Sequence, residues 1–132
     1  MKSLHLVTAV IEAGAGLALM GFPSVVIKLL LGVPLEAPAS VSLGRLTGAA
    51  LFALGIACWF ASSDTKNRAA KGLVAAMTFY NLAAVGVFMH AGIGLNLVGV
   101  ALWPAVIVHT AMAIWCVACL IRNRMASLAS PA

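Results

Sequence analysis

The chain has 132 residues, of which 64% are hydrophobic and 8% are charged, and its formal net charge is +5. Water-soluble globular domains carry about 25% charged residues, so the composition excludes that class and indicates a membrane protein. The positive charge does not indicate a nucleic-acid partner, because the cationic residues cluster at the chain ends and in one loop rather than along one face.

Four apolar segments are long enough to cross a bilayer, since about 20 residues at a rise of 1.5 Å match a hydrocarbon core of about 30 Å. The predicted spans are residues 4–22, 42–61, 72–91 and 98–121. The sequence therefore predicts an all-α protein, an integral membrane antiparallel four-helix bundle that forms a single domain over residues 1–132.

The first span is apolar except at Glu12. A signal peptide requires an uninterrupted apolar core, so we expect this segment to stay in the protein as a helix. His5, Thr8 and Glu12 follow a spacing that places them on one face of that helix. Two interpretations of this face remain open: a stripe that passes protons, or an interfacial His beside a Thr bonded to its own backbone.

The segment PSVVIKLLLG, residues 23–32, follows the first span. Pro23 cannot continue the preceding helix but suits a helix start, and Lys28 is the one charge. The pattern predicts a short helix in the outer interface, with Lys28 reaching toward the lipid headgroups. The alternative is that the segment prolongs a tilted first span. Residues 34–40 contain two prolines and are predicted to be a loop without regular structure.

The later spans carry packing and orientation signals. Gly44 and Gly48 in the second span have the GxxxG spacing that lets another helix approach closely. The link between the third and fourth spans is short, which makes those two spans antiparallel neighbours. Most cationic residues would share one side of the membrane in a four-span chain: Lys2, Lys66, Arg68, Lys71, Arg122 and Arg124. The positive-inside rule then predicts a multi-pass protein of the cytoplasmic (inner) membrane with both termini in the cytoplasm.

Polar residues inside the spans fall at one depth. Counting 1.5 Å per residue from the inner surface, Glu12 lies roughly 12 Å up the first span, and Tyr80 and Asn81 lie roughly 12 to 14 Å up the third. His109 lies roughly 13 to 18 Å up the fourth span. Arg45 starts nearer the outer surface, but its long side chain can point inward. The predicted cluster is therefore Glu12, Arg45, Tyr80, Asn81 and His109.

Within this cluster we expect an ion pair between Glu12 and Arg45, with Asn81 and His109 completing the hydrogen bonds. A carboxyl group alone in lipid takes up a proton, whereas a nearby arginine keeps it charged. Gly14 and Gly16 would let a neighbouring helix cover the pair. Two roles remain open for the cluster: a functional pocket, or a hydrogen-bonded network that only fixes helix packing.

Metal and haem sites are not predicted. His90 and His109 differ in depth by roughly 10 Å, too far to hold one haem iron from opposite faces. Cys116 and Cys119 share a helix face, and Cys58 lies at similar depth, so a thiol redox or soft-metal site is conceivable. Without a cationic activator we interpret the three as reduced, buried apolar residues.

Catalytic motifs are also missing from the sequence: it has no Gly-rich phosphate loop, paired carboxylates, Ser-His-Asp set or zinc-ligand spacing. We therefore do not expect a hydrolase or a nucleotide-dependent enzyme.

Five features follow one another along the chain: Glu12, PSVVIKLLLG, GRLTGAALFALG with Arg45, FYN at 79–81 and WPAVIVH at 103–109. In this order of features the chain resembles small bacterial four-helix membrane proteins of the broad DoxX-like group. The resemblance covers most of the chain and implies the four-helix layout. It also implies possible partners, since some members of that group are membrane subunits of sulfur or quinone redox complexes, while many have no assigned role.

The function that we expect is a small membrane subunit, or a binder of a lipidic or small apolar ligand, acting through the intramembrane polar cluster. The alternative is a proton-coupled small-molecule transporter that acts as an oligomer. A third interpretation is a structural partner in a redox complex. No cofactor is predicted, although a quinone or lipid remains open as a ligand.

Overall fold

The computed structural model describes residues 1–65 and 67–128, so Lys66 and residues 129–132 lie outside the described part. The described residues form five α-helices and no strands: α1 Lys2–Gly21, α2 Pro23–Leu31, α3 Pro38–Ala61, α4 Arg68–Met89 and α5 Leu102–Leu128. A π-helical turn, His90–Gly94, continues α4. Helices α1, α3, α4 with its π turn, and α5 are long and apolar enough to span a membrane. The predicted all-α four-helix architecture is confirmed.

Helix α2 is separate from α1. Phe22 lies between them with φ −132° and ψ 54°, which breaks the helical path, and Pro23 opens α2 at the first helical position. The alternative of one prolonged first span is therefore wrong. The Ser24 hydroxyl donates a hydrogen bond to the Leu35 carbonyl at 2.9 Å, which holds the loop after α2 against its start.

Three helix starts differ from the predicted boundaries. Helix α3 begins at Pro38 instead of residue 42, because proline suits a first helical position and part of the predicted loop is therefore helical. Helix α4 begins at Arg68 because the Asn67 side chain accepts a hydrogen bond from the Ala69 N–H at 2.8 Å. Helix α5 begins at Leu102 rather than residue 98, because the preceding residues pair with α2.

Helices α1 and α3 pack antiparallel, with their backbones in close approach at several glycines. A Cβ added at Gly16 would lie 2.5 Å from the Phe52 backbone nitrogen, and one at Gly48 would lie 2.7 Å from the Gly16 carbonyl oxygen. Gly55 faces the backbone of Ala13 in the same way. The predicted close approach at Gly48 is confirmed, whereas Gly44 meets the side chains of Pro23 and Leu35.

Helices α4 and α5 form the second closely packed pair. The two pairs meet near the termini in an apolar core that includes Leu4, Cys58, Val74, Met77 and Cys116. At that end of the bundle the Asn123 side chain also contacts the Met1 sulfur. We call it the termini end, and the opposite end, which carries α2, the α2 end.

A backbone clamp closes the α2 end. The Leu30 carbonyl accepts a hydrogen bond from the Gly99 N–H at 3.0 Å, and the Leu29 carbonyl accepts one from the Ala101 N–H at 2.8 Å. These carbonyls belong to the last turn of α2, which has no further helical N–H groups to bind them. Gly32 ends α2 with φ +79°, a conformation that favours glycine. The clamp fixes α2 against the segment that leads into α5.

Candidate functional site

A cavity of about 260 Å³ lies between the two helix pairs, beneath α2. Its polar lining residues are Glu12, Tyr80 and His109. Its apolar walls come from all five helices and the segment before α5: Ile11, Ala15, Leu19, Val26, Leu29, Leu30, Leu51, Phe88, Ala101 and Ala105. The structure thus joins three of the predicted cluster residues in one space and places Asn81 directly behind them.

Glu12 is 3% exposed, so it points into the bundle rather than toward lipid. Its carboxyl group lies near the Tyr80 hydroxyl across the interface between α1 and α4, and both residues line the cavity. A phenol is the donor in such a pair when the carboxyl group is ionised. The pair connects the first helix pair to the second at the depth where the sequence predicts the cluster.

Asn81 is buried and connects α4 to α5. Its Nδ2 donates a hydrogen bond to the Met77 carbonyl at 2.7 Å, and its Oδ1 lies 2.8 Å from Nδ1 of His109. Asn81 and His109 thus bond to each other, whereas the sequence predicts that they complete the hydrogen bonds of Glu12 and Arg45. Because every polar atom of the amide is engaged, Asn81 positions His109 instead of facing a ligand.

Two aromatic rings flank His109. The Tyr80 ring lies 5.6 Å from the imidazole, centroid to centroid, in an edge arrangement with an interplanar angle of 79°. The Phe88 ring lies 5.7 Å away with a tilt of 44°. The sequence interpretation did not include Phe88, although its position eight residues after Tyr80 places it on the same face of α4. The two rings limit the orientations open to the imidazole.

Arg45 does not join the site, and the predicted ion pair with Glu12 is wrong. Its side chain is exposed, and among the described residues no ion pair joins it to the buried Glu12. The physical reason is the rotational position of α3, in which Gly44 and Gly48 turn toward α2 and α1. Arg45 follows Gly44 by one residue, about 100° around the helix, and points away from Glu12.

The face of α1 that carries His5, Thr8 and Glu12 is buried along its whole length, with His5 and Thr8 1% and 2% exposed. Thr47, Thr78 and Thr110 each donate to the carbonyl four residues earlier. Among the described residues Thr8 makes no such bond, so the structure does not support the interpretation of Thr8 as bonded to its own backbone. His5 Nε2 is buried with no hydrogen-bond partner among the described residues.

The remaining candidates lie elsewhere. His90 is exposed at the end of α4, with its ring against Gly94, and it does not face His109. Cys58, Cys116 and Cys119 are free thiols in the core near the termini end, in agreement with their interpretation as buried apolar residues. In the described ranges, no three His, Cys, Asp or Glu side chains come together as metal ligands.

The chemistry available in the cavity is hydrogen bonding within an apolar enclosure. Glu12, Tyr80 and His109 gather on its lining, while the other lining residues are aliphatic or aromatic. Such a space selects ligands by shape and by one or two polar groups. Comparison with protein-family models, with curated proteins and with solved structures found no match for this chain.

Proposed function

We propose that the chain is a small multi-pass membrane protein that binds a lipidic or small apolar ligand in the cavity between its two helix pairs. One observation carries this proposal: a cavity of about 260 Å³ with apolar walls is lined by the buried Glu12 and the half-buried Tyr80 and His109. Polar groups are costly inside a membrane bundle, which favours a ligand-binding use for them. The DoxX-like resemblance is compatible with such a role.

Filling the cavity tests the proposal. Ala105 lines it, so Ala105→Phe should remove ligand binding, while Ala111→Phe places the same ring on an exposed position of α5 and should not. Protein purified in a gentle detergent would be analysed by native mass spectrometry for co-purified lipid, quinone or small molecules and for partner subunits. Equal ligand occupancy in both variants would contradict the proposal.

The proposed location is the bacterial inner membrane with the termini end in the cytoplasm. The cationic residues support this orientation, because Lys2, Arg68 and Arg122 lie at or near the termini end of their helices. In that orientation α2 lies at the periplasmic face and covers the cavity from that side.

Proton-coupled transport is the second candidate, and the buried face of α1 favours it. His5 Nε2 is buried with no hydrogen-bond partner among the described residues, and the buried His5 and Thr8 lead along one face toward Glu12 at the cavity. Such a series of polar groups suits proton transfer in a membrane protein. Transport predicts efflux of a small molecule from cells that express the protein, and Glu12→Gln should abolish that efflux. Unchanged efflux in Glu12→Gln would exclude this mechanism.

A further inference from the structure

The hydrogen bonds of Asn81 determine which nitrogen of His109 carries the proton. The Met77 carbonyl can only accept, so the Asn81 atom 2.7 Å from it is the amide nitrogen, and the other amide atom is the oxygen. That oxygen also only accepts, and it lies 2.8 Å from His109 Nδ1. Nδ1 must therefore donate. In a neutral imidazole, this leaves Nε2 as an acceptor.

Nε2 is available to a ligand. His109 lines the cavity, and among the described residues its one hydrogen-bond partner is Asn81, on the other ring nitrogen. Tyr80 and Phe88 flank the ring and restrain its orientation. The cavity thus contains a neutral hydrogen-bond acceptor, Nε2 of His109, whose orientation is fixed by the buried Asn81 side chain.

The other polar groups of the cavity lie near each other. The Tyr80 hydroxyl and the Glu12 carboxyl face the same space from α4 and α1. A ligand that brings a donor of its own would bind Nε2 without disturbing the hydrogen bond between Asn81 and Nδ1. A neutral donor would do so without carrying a charge from water into an apolar enclosure, which is costly.

The size of the cavity limits the ligand. An apolar cavity of about 150 Å³ accommodates benzene. The cavity of about 260 Å³ therefore has room for a molecule of one or two rings, or a branched alkyl group of similar volume. A long acyl chain would extend beyond it.

We propose that the ligand is a neutral apolar molecule of one or two rings that carries a hydroxyl group and donates its hydrogen bond to Nε2 of His109. This inference rests on the proposed binding function, since it names the class of ligand for the same cavity. Asn81 acts as a positioning residue, because it keeps the proton on Nδ1 and the acceptor on Nε2.

A matched pair of probes tests the donor. The full-length protein in detergent would be titrated with 2-naphthol and with 2-methoxynaphthalene, which has the same rings but no donor, and the shift in melting temperature would be measured. We expect 2-naphthol to bind about tenfold more tightly than 2-methoxynaphthalene, because the methyl ether cannot donate a hydrogen bond to the acceptor in the cavity. His109→Phe should abolish this preference, while Ala111→Phe should retain it.

A second measurement uses the native protein alone, in case the His109 variant does not fold. The ¹⁵N resonance of His109 Nε2 should move on addition of 2-naphthol and stay unchanged with the methyl ether. Equal binding of both probes by the native protein would overturn the donor assignment while supporting the cavity as an apolar binding site. If the cationic probe 2-(2-naphthyl)ethylamine binds more tightly than 2-naphthol, the assignment of His109 Nε2 as the acceptor is wrong. Recognition of the ligand by Glu12 would then be favoured. Binding of neither naphthalene probe would overturn both this inference and the proposed function.

Discussion

At the scale of single residues, the polar cluster shows what a buried carboxyl group in a membrane bundle requires. Glu12 is 3% exposed, and the phenol of Tyr80 on α4 lies near its carboxyl group. A neutral donor stabilises a carboxyl group without the cost of desolvating a second charge. The described residues therefore place a neutral phenol near Glu12, while the predicted partner Arg45 is exposed.

Double-mutant cycles at Glu12 distinguish these two arrangements. The losses of unfolding free energy in Glu12→Ala and Arg45→Ala should be additive, because the two side chains do not meet. Glu12→Ala and Tyr80→Phe should instead couple by about 0.5 to 1.5 kcal/mol, the range for interhelical hydrogen bonds in membranes. Chemical unfolding in detergent measures both cycles. Coupling between Glu12 and Arg45 larger than that between Glu12 and Tyr80 would contradict this geometry.

The sequence predicts the depth of the cluster but not its membership. A rise of 1.5 Å per residue gives the level of Glu12, Tyr80 and His109 from any well-placed helix boundary, and the structure brings those three residues together. Depth gives no information on rotation about the helix axis. Arg45 has a suitable length and charge but faces away, because glycine contacts set the rotation of α3.

At the scale of helices, small residues decide which elements pack closely. Gly14 and Gly16 lie on the same helix, and both are sequence candidates for a close approach. Only Gly16 meets a neighbour, with Phe52 and Gly48 backbone atoms within 2.9 Å of an added Cβ, whereas nothing lies within 4 Å of one at Gly14. The small residues of α1 therefore predict that another helix packs closely against it. Only the three-dimensional structure shows which glycine lies at that contact.

Alanine at these two glycines provides a matched pair. Gly16→Ala should separate α1 from α3 and lower the unfolding free energy by about 1 to 3 kcal/mol, as overpacking does. Gly14→Ala should be neutral or stabilise the protein by up to about 1 kcal/mol, because alanine is the better helix former. Thermal unfolding in one detergent compares the two variants. Equal effects would show that α1 and α3 are not in backbone contact.

The backbone clamp at the α2 end makes a similar prediction for a loop glycine. A Cβ at Gly99 would collide with the Leu29 carbonyl, so Gly99→Ala should displace the segment before α5 from α2. We expect a loss of about 1 to 3 kcal/mol in stability. Hydrogen exchange should also speed up at the Ala101 amide, which donates to Leu29. Gly86→Ala, at an open position on α4, serves as the control.

The clamp is a feature that sequence reasoning did not find. Residues 98–101 are apolar and read as the start of the fourth span, and their pairing with α2 involves backbone atoms alone. Hydrogen bonds between backbone atoms depend little on the type of side chain, so the sequence gives little indication of where they form. Gly32 and Gly99 are the two residues that mark it, since one ends α2 and the other permits its close approach.

At the scale of the whole molecule, the proposed orientation predicts which loops face the periplasm. Single cysteines would be placed at Ala37, which is exposed at the α2 end, and at Thr65, near the termini end. The native thiols Cys58 and Cys116 are fully buried and should react slowly. In intact cells, a membrane-impermeant maleimide should label Ala37→Cys and not Thr65→Cys. The reverse labelling pattern would invert the orientation.

The division into two helix pairs has a consequence for how the protein is made. Helices α1 and α3 precede α4 and α5 in the chain, so synthesis delivers the first pair before the second. During that interval Glu12 lacks the Tyr80 hydroxyl, and a carboxyl group beside lipid is expensive. We therefore expect the nascent first pair to remain with the insertion machinery until α4 has been synthesised, so that Glu12 enters the bilayer already covered.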